Sequence, residues 1–310
     1  MGWVERGCSR PGTGIASLPA ALAFALGLFA ASPFAAAAQT GGDSHRDSAG
    51  PPAGGDGDDP LWVGEELRYR IKYGIFGIGE GSIGVPGIDT IGGRTTYAAE
   101  MRISGGIPGY RIDQRIYSWI DTEKLFSRRF VKDEEDRPRE YDFLAEQRLV
   151  HQIRDRDTTW AIPTSEPLDD LSIVFLARTL PLEVGQTYTL NRYFKEENNP
   201  IILKVLRRDR RKVGAGEFNT IVVQPIIPES SLYSEGGNAE IHLSDDERRL
   251  VVYMKVDVLL LNLTLHLEEF QLGGPLEDFG GAEGPADGGD DSGSSSDKGP
   301  ADIGRRDPPN

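Results

Sequence analysis

The chain has 310 residues, a formal net charge of −15 and a single cysteine, Cys8. An excess of acidic residues of this size makes the chain a poor electrostatic match for nucleic acid and for anionic lipid headgroups. One cysteine cannot form an internal disulfide, so the fold must be held together by its own core.

The N-terminal segment has the order of features that is typical of a secretory signal. Arg6 and Arg10 precede the apolar run Leu18–Phe34, and Ala35–Ala38 offers small side chains for cleavage. We therefore predict a signal peptide over residues 1–38, no transmembrane span in the mature chain, and a periplasmic or secreted location in a bacterial cell envelope. The alternative is a retained N-terminal anchor, although the run is shorter than the ~20 strongly apolar residues that a span needs.

Two flanking segments have too few apolar residues to form a core. Residues 39–59 are mainly Gly, Asp, Ser, Pro and Ala, and residues 273–310 contain nine acidic and three basic residues. Such compositions cannot offset the entropy lost on ordering the chain. We predict a disordered linker over 39–59, a single β-rich domain over 60–272, and a disordered acidic tail over 273–310.

Within the domain, apolar and polar residues alternate with the period of half-buried strands. In Glu66–Tyr73, for example, Leu67, Tyr69 and Ile71 share one face, and the charged residues between them share the other. The predicted strands are 66–73, one within 74–87, 95–104, 111–120, 125–132, 139–144, 149–155, 158–162, 187–194, 201–209, 217–225, 239–243, 249–258 and 261–271.

A helical period occurs once, at Asp169–Thr179, where Leu171, Val174 and Phe175 are spaced three and four apart. Either aspartate at 169 and 170 can cap this helix, and Pro181 ends it. The whole pattern predicts a mainly β fold. A large antiparallel sheet curls into a barrel or half-barrel, and one mid-chain helix covers or plugs its open side.

Several short motifs occur in a recognisable order. They are Val63–Tyr69, Gly77–Gly81, Asp169–Ser172 followed by Leu180–Leu182 and Gly185, Gly216–Phe218, and Leu243–Leu250. In order and spacing the chain resembles the exported bacterial family named domain of unknown function 3108 (DUF3108). The resemblance implies an exported β-rich domain and brings no catalytic residue with it.

The polar residues nominate no catalytic site, no metal site and no cofactor. His151, His242 and His266 fall on separate predicted strands without metal-ligand spacing, and His45 lies in the linker. Adjacent carboxylates are expected to serve turns and helix caps, because neighbours in a strand point to opposite faces. Asp245-Asp246 is the best acidic candidate, as a weak cation ligand.

Aromatic residues are concentrated in the first half of the domain, where alternate positions would line the concave face of the sheet. They are Tyr69, Tyr73, Phe76, Tyr97, Tyr110, Tyr117, Trp119, Phe126, Phe130 and Trp160. They form either a packed core or a pocket for an apolar ligand.

The sequence therefore favours a non-catalytic envelope protein that binds an apolar ligand, such as a lipid, or an envelope protein on its concave face. Two alternatives remain open: a carboxylate-dependent hydrolase of envelope material, and a structural or assembly factor that binds no small ligand.

Overall fold

The computed structural model describes residues 61–279 except 108–109, 135–137, 155, 229–237 and 259–260. The predicted signal peptide, the linker and residues 280–310 of the acidic tail lie outside the described residues. Within the described part, no helix combines the length and the apolar character that crossing a membrane requires.

The described residues form one antiparallel sheet of fourteen strands, which confirms the predicted mainly β fold. The strands are β1 (Glu65–Tyr73), β2 (Phe76–Ile91), β3 (Arg94–Ile107), β4 (Tyr110–Asp121), β5 (Ser127–Glu134), β6 (Arg139–Leu144), β7 (Leu149–Gln152), β8 (Thr158–Ala161), β9 (Thr187–Leu190), β10 (Ile201–Val213), β11 (Gly216–Ile226), β12 (Asn238–Ser244), β13 (Val251–Val258) and β14 (Leu261–Gln271). One helix, α1 (Ser172–Thr179), lies between β8 and β9.

The sheet is open, and its strand order is β8-β7-β6-β5-β4-β3-β2-β1-β14-β13-β12-β11-β10-β9. The first and last strands therefore pair with each other at the centre of the sheet. Bulges interrupt the register between Gly84 and Gly87 and between Arg68 and Tyr69. Each bulge adds bend and twist, which helps so large a sheet to curl.

Alternation along the strands fills the concave face with apolar side chains. Tyr97, Ile116, Phe130, Leu203 and Leu265 all belong to one continuous buried cluster that draws on both halves of the sheet. The centre of the concave face is thus occupied by the protein's own side chains in the described residues. A ligand on this face would have to lie beside these side chains or displace them.

Helix α1 begins at Ser172, three residues later than predicted, and Asp169 lies in the segment before it. The Asp169 carboxylate oxygen Oδ1 accepts the backbone N–H groups of Leu171 and Ser172, each at 2.8 Å. At the other end, Arg178 makes two hydrogen bonds to the buried carboxylate of Glu65, at 2.6 and 2.8 Å. The Asp169 carboxylate also accepts a hydrogen bond from Ser118 on β4, so the helix is attached to the sheet at both of its ends.

The strand predicted over residues 187–194 ends instead at Leu190. Its remaining residues bond to the segment before the helix: Leu168 N–H donates to Arg192 O at 2.7 Å, and Phe194 N–H donates to Leu168 O at 3.1 Å. This parallel bridge links the chain that leaves β8 to the chain that leaves β9. It also brings Asp169 and Asp170 close to Tyr193 and Phe194.

Bonded contacts continue past Leu272, the predicted end of the domain. Val63 and Gly274 exchange two backbone hydrogen bonds, both of 2.9 Å. The chain therefore enters and leaves the described domain at one place, beside the start of β1.

Candidate functional site

Lys132 is a cation at a core position of β5. It shares the inward face with Phe130, and both side chains are only 2% exposed. Arg139 on β6 stands directly opposite Lys132 in the register. Two like charges opposite each other on an inward face are unfavourable unless anionic groups lie nearby.

Asp170 supplies such a group from the segment that precedes α1. Its Oδ2 lies 3.9 Å from Lys132 Nζ, and its Oδ1 accepts a hydrogen bond from the Tyr193 hydroxyl. Lys195, two residues beyond Tyr193, also acts electrostatically on Asp170, as does Arg139. We call these five residues, Lys132, Arg139, Asp170, Tyr193 and Lys195, the Lys132 cluster.

Burial shifts the pKa values within the Lys132 cluster. It raises the pKa of Asp170, and the cations Lys132, Lys195 and Arg139 and the Tyr193 hydrogen bond oppose that shift. It lowers the pKa of Lys195, where Asp170 and Glu197 oppose the shift and Arg139 reinforces it. Groups with perturbed pKa values that converge on one place are a physical mark of functional sites.

Four aromatic side chains adjoin the Lys132 cluster. The Phe194 ring lies 5.2 Å from Tyr141, 5.5 Å from Phe143 and 6.2 Å from Phe130, measured between ring centroids. Lys195 Nζ is 5.3 Å from the centre of the Phe194 ring. We call these four aromatic residues the aromatic layer. Cationic and apolar surfaces therefore meet where β5 and β6 face the chain that leaves β9.

Asp169 has a structural role that is distinct from that of its neighbour. Its Oδ2 accepts a 2.6 Å hydrogen bond from Ser118, and its backbone N–H donates to Ser127 and Ser172. Burial raises the pKa of Asp169 to about 6, although the hydrogen bonds that its carboxylate accepts from the Ser118 and Ser127 side chains and from the backbone N–H groups of residues 171 and 172 oppose the shift. The residue fixes the start of α1 and thereby the position of Asp170.

The predicted acidic candidate, Asp245-Asp246, forms the β12–β13 turn. Asp245 pairs with Arg208 at 2.9 Å and with Arg249 at 3.3 Å. Asp246 Oδ1 accepts from Ser244 Oγ and from the backbone N–H groups of residues 248 and 249. The protein's own donors thus occupy these oxygens. No group of three or more metal-ligating side chains occurs among the residues that the structure describes.

His242 is a buried histidine that meets two carboxylates. Its side chain has no solvent exposure, with Nδ1 3.8 Å from Asp209 and Nε2 3.4 Å from Glu240. The β10–β11 hairpin folds across this outer face, and Ala215 N–H at its turn donates to Leu267 O on β14. Burial and the nearby Arg211 lower the pKa of His242 to about 4. His242 is therefore neutral near pH 7 and covered, which does not suit a catalytic base.

The other described histidines lie on strands separate from that of His242, but His266 packs against the same ring as His242 does, since each lies 5.0 Å from the centre of Tyr253. His151 pairs with Asp157 at 2.8 Å on the surface. His266 stacks edge-on against Tyr253, and His45 lies outside the described residues.

A charged groove of about 540 Å³ lies on the outer face of β1, β2, β3 and β14. Its arginines already have carboxylate partners: Arg68 with Glu66 at 2.9 Å, and Arg70 with Glu268 at 3.3 Å. Exposed ion pairs of this kind are typical of a solvated face. The groove is therefore a weaker candidate than the Lys132 cluster.

The Lys132 cluster is not predicted from the sequence, although one signal for it is present. Lys132 follows Phe130 by two residues, and Arg139 precedes Tyr141 by two, so alternation alone places both cations on the core face. The bridge at Leu168 brings Asp170 and Tyr193 close to Lys132, and no local sequence pattern indicates that bridge.

The fold and the site together define a class of protein: an open, curled antiparallel sheet with one short buried helix and a buried charged cluster. The family model described as "Protein of unknown function (DUF3108)" matches residues 68–268. The chain belongs to this family, which confirms the resemblance seen in the motifs.

The solved structures to which the chain is similar are distant in sequence. One is a β-barrel-like protein of domain of unknown function DUF1849 from Brucella abortus, with 10% identity and a TM-score of 0.43, covering 68% of this chain and 98% of that one. A second, described as an exported protein with a YmcC-like fold, comes from Bacteroides fragilis, with 11% identity, a TM-score of 0.30, and coverage of 68% and 97%. A third, described as a lipoprotein, comes from Parabacteroides distasonis, with 10% identity, a TM-score of 0.29, and coverage of 68% and 97%. No curated protein matches the chain.

Proposed function

We propose that this protein is an exported, non-catalytic binding protein of the bacterial envelope. Its ligand is an amphipathic anion, such as a fatty acid or an acidic phospholipid, held at the Lys132 cluster. The observation that carries this proposal is the meeting of three cationic side chains with the aromatic layer on the inward side of the sheet.

The cationic side chains of the cluster suit an anionic ligand group. Lys132, Arg139 and Lys195 all act electrostatically on the carboxylate of Asp170, and Glu197 also acts on Lys195. Positive charge in a poorly solvated place attracts a carboxylate or phosphate strongly, and Arg and Lys are the usual protein partners of these groups. The rings of Tyr141, Phe143 and Phe194 adjoin these cations within the buried core, and the apolar part of such a ligand would contact them there.

The arrangement of the acidic groups fits ligand binding better than it fits hydrolysis. General acid–base hydrolysis by carboxylates requires two carboxyl groups that face one open space. Asp169 is occupied by α1 and by Ser118, whereas Asp170 faces Lys132 and Tyr193. The proposed location rests on the predicted signal peptide at residues 1–38.

The test begins with the protein isolated from its host envelope without detergent and examined by native mass spectrometry. We expect a co-purified anionic lipid. Affinity is then measured by displacement of a fluorescent fatty acid. Lys195→Gln should weaken binding about tenfold, since a charge-assisted hydrogen bond contributes about 1.5–3 kcal/mol.

Lys204→Gln is the matched control, because Lys204 is also partly buried but lies on β10, on the other half of the sheet. It should leave the affinity unchanged. The absence of both co-purified lipid and fatty-acid binding would contradict the proposed function. Equal affinities for wild type and Lys195→Gln would contradict the site.

A further inference from the structure

We infer that the turn between β1 and β2 docks onto the surface of a phospholipid bilayer. Ile75 and Phe76 form this turn's apolar tip, and their side chains are 87% and 67% exposed. They are the two most exposed of the large apolar side chains in the described residues. The inference goes beyond ligand binding and does not depend on the Lys132 cluster.

The backbone keeps this tip projecting beyond the sheet. Tyr73 pairs with Phe76, so the loop consists of Gly74 and Ile75 alone. Gly74 has a φ of 57°, a conformation in which glycine is favoured at the first central position of a tight hairpin turn. So short a loop cannot fold its side chains back onto the core, and two long paired strands support it.

The other two-residue hairpin turns of the described chain differ from this one. The β2–β3 turn is Gly92-Gly93, at the opposite end of the sheet, and has no side chains to expose. The β10–β11 turn contains Ala215, which is bonded to Leu267 on β14. Turn positions usually take Gly, Asn or Asp, so an exposed isoleucine followed by phenylalanine needs a reason beyond folding.

The chain as a whole is acidic, but the first charged side chain behind the tip is a cation, which suits the phosphate level of a headgroup layer. Lys72 is the first charged residue behind the tip on β1. The first on β2 is Glu80, which pairs with Arg70 and so lies further from the tip than Lys72 does. Strand geometry places Lys72 about 7–10 Å behind Ile75. Interfacial segments bury their apolar side chains about 5–10 Å deep. With Ile75 and Phe76 at that depth, the Lys72 ammonium lies level with lipid phosphates.

The size of the tip favours a membrane over a second copy of this chain. Two large side chains expose on the order of 300 Å² of apolar surface. A stable protein interface buries about 800 Å² on each partner. A bilayer, in contrast, can receive a small tip without a complementary surface.

The test uses the chain as exported by its host, with vesicles of phosphatidylethanolamine and phosphatidylglycerol. In the variant Phe76→Trp, fluorescence should shift to the blue and be quenched by brominated acyl chains. Arg94→Trp, at the start of β3 and opposite the far end of β2, should show neither effect. In sedimentation with vesicles, the double variant Ile75→Ser/Phe76→Ser should lower the partition coefficient about tenfold or more, because burial of two large apolar side chains is lost.

Phe279→Ser is the matched control for sedimentation, since Phe279 is also an exposed aromatic residue but lies beyond β14. It should bind vesicles as wild type does. Thermal unfolding of the double variant should match wild type, because the tip has few contacts to lose. A tryptophan at position 76 that lipid does not quench would overturn the inference, as would unchanged sedimentation of the double variant. A tip that docks onto another protein would give both of these results.

Discussion

The buried imidazole of His242 makes the stability of the outer face sensitive to pH. It packs edge-on against Tyr253 at 5.0 Å and lies near Asp209, Glu240 and Arg211. Its pKa is about 4 in the folded protein and about 6.5 in an unfolded chain. The folded state therefore favours neutral His242, and this contribution to stability is fully present above pH 6.5.

We predict that this contribution is lost as the pH falls from 6.5 to about 4, by up to about 3 kcal/mol in the free energy of unfolding. His242→Gln should remove that part of the pH dependence, as measured by urea denaturation across this range. His151→Gln, at an exposed ion pair, should not. Asp169 acts in the opposite direction, because its raised pKa favours the folded state at low pH, but it is common to all three proteins. Parallel pH profiles for wild type and His242→Gln would show the prediction to be wrong.

The local sequence pattern predicts the roles of some individual residues but not those of others. The capping role of Asp169 and the turn role of Asp246 follow from side-chain chemistry next to the backbone that they bond. The partners of Lys132 could not be found in this way. Asp170 and Tyr193 are far from β5 in sequence, and a bridge at Leu168 brings them together.

At the scale of elements, α1 is fixed by an ion pair between residues that are far apart in the sequence. Arg178 and Glu65 are 113 positions apart and almost fully buried, and Arg178 Nη2 also donates to Arg248 O at 2.9 Å. The pair therefore ties the helix to β1 and to the β12–β13 turn. In the sequence, Glu65 is one of two adjacent glutamates before an alternating strand, so nothing local distinguishes it from a solvated residue.

We predict that Arg178→Met costs about 3–5 kcal/mol in the free energy of unfolding, because it leaves the Glu65 charge buried without its partner. The double variant Glu65→Leu/Arg178→Met should recover much of that loss, since the uncompensated charge is gone. Chemical denaturation of the two single variants and the double variant measures the coupling. Strictly additive losses would mean that the two side chains do not stabilise the fold as a pair.

At the scale of the whole molecule, the sequence predicts a curled sheet but not its strand order. Strands that follow each other along the chain pair through short turns, and these pairings are local. The pairing of β1 with β14 at the centre of the sheet joins the two ends of the domain. No turn or period encodes it, because it depends on how the complete sheet buries its apolar face.

This central pairing predicts that the domain tolerates circular permutation. Val63 and Gly274 are already bonded, so a short glycine-rich linker from Phe279 to Leu61 should cause no strain. With new ends between Gly92 and Gly93, at an exposed turn, the protein should keep its circular dichroism spectrum and unfold cooperatively. New ends between Val222 and Val223, in the middle of buried β11, should prevent folding. A permutant opened at Gly92 that lacks β structure would contradict the prediction.

The bonded residues Val63 and Gly274 also decide how the domain would respond to mechanical tension between its two flanking segments. The hydrogen bonds of antiparallel β1 and β14 lie perpendicular to the strands, and both flanks leave from the same end of that pair. Pulling the flanks apart would therefore break these bonds one after another, as a zipper opens, and would not load them together in shear. Along this direction the sheet yields from its centre, where the two halves of the molecule are joined.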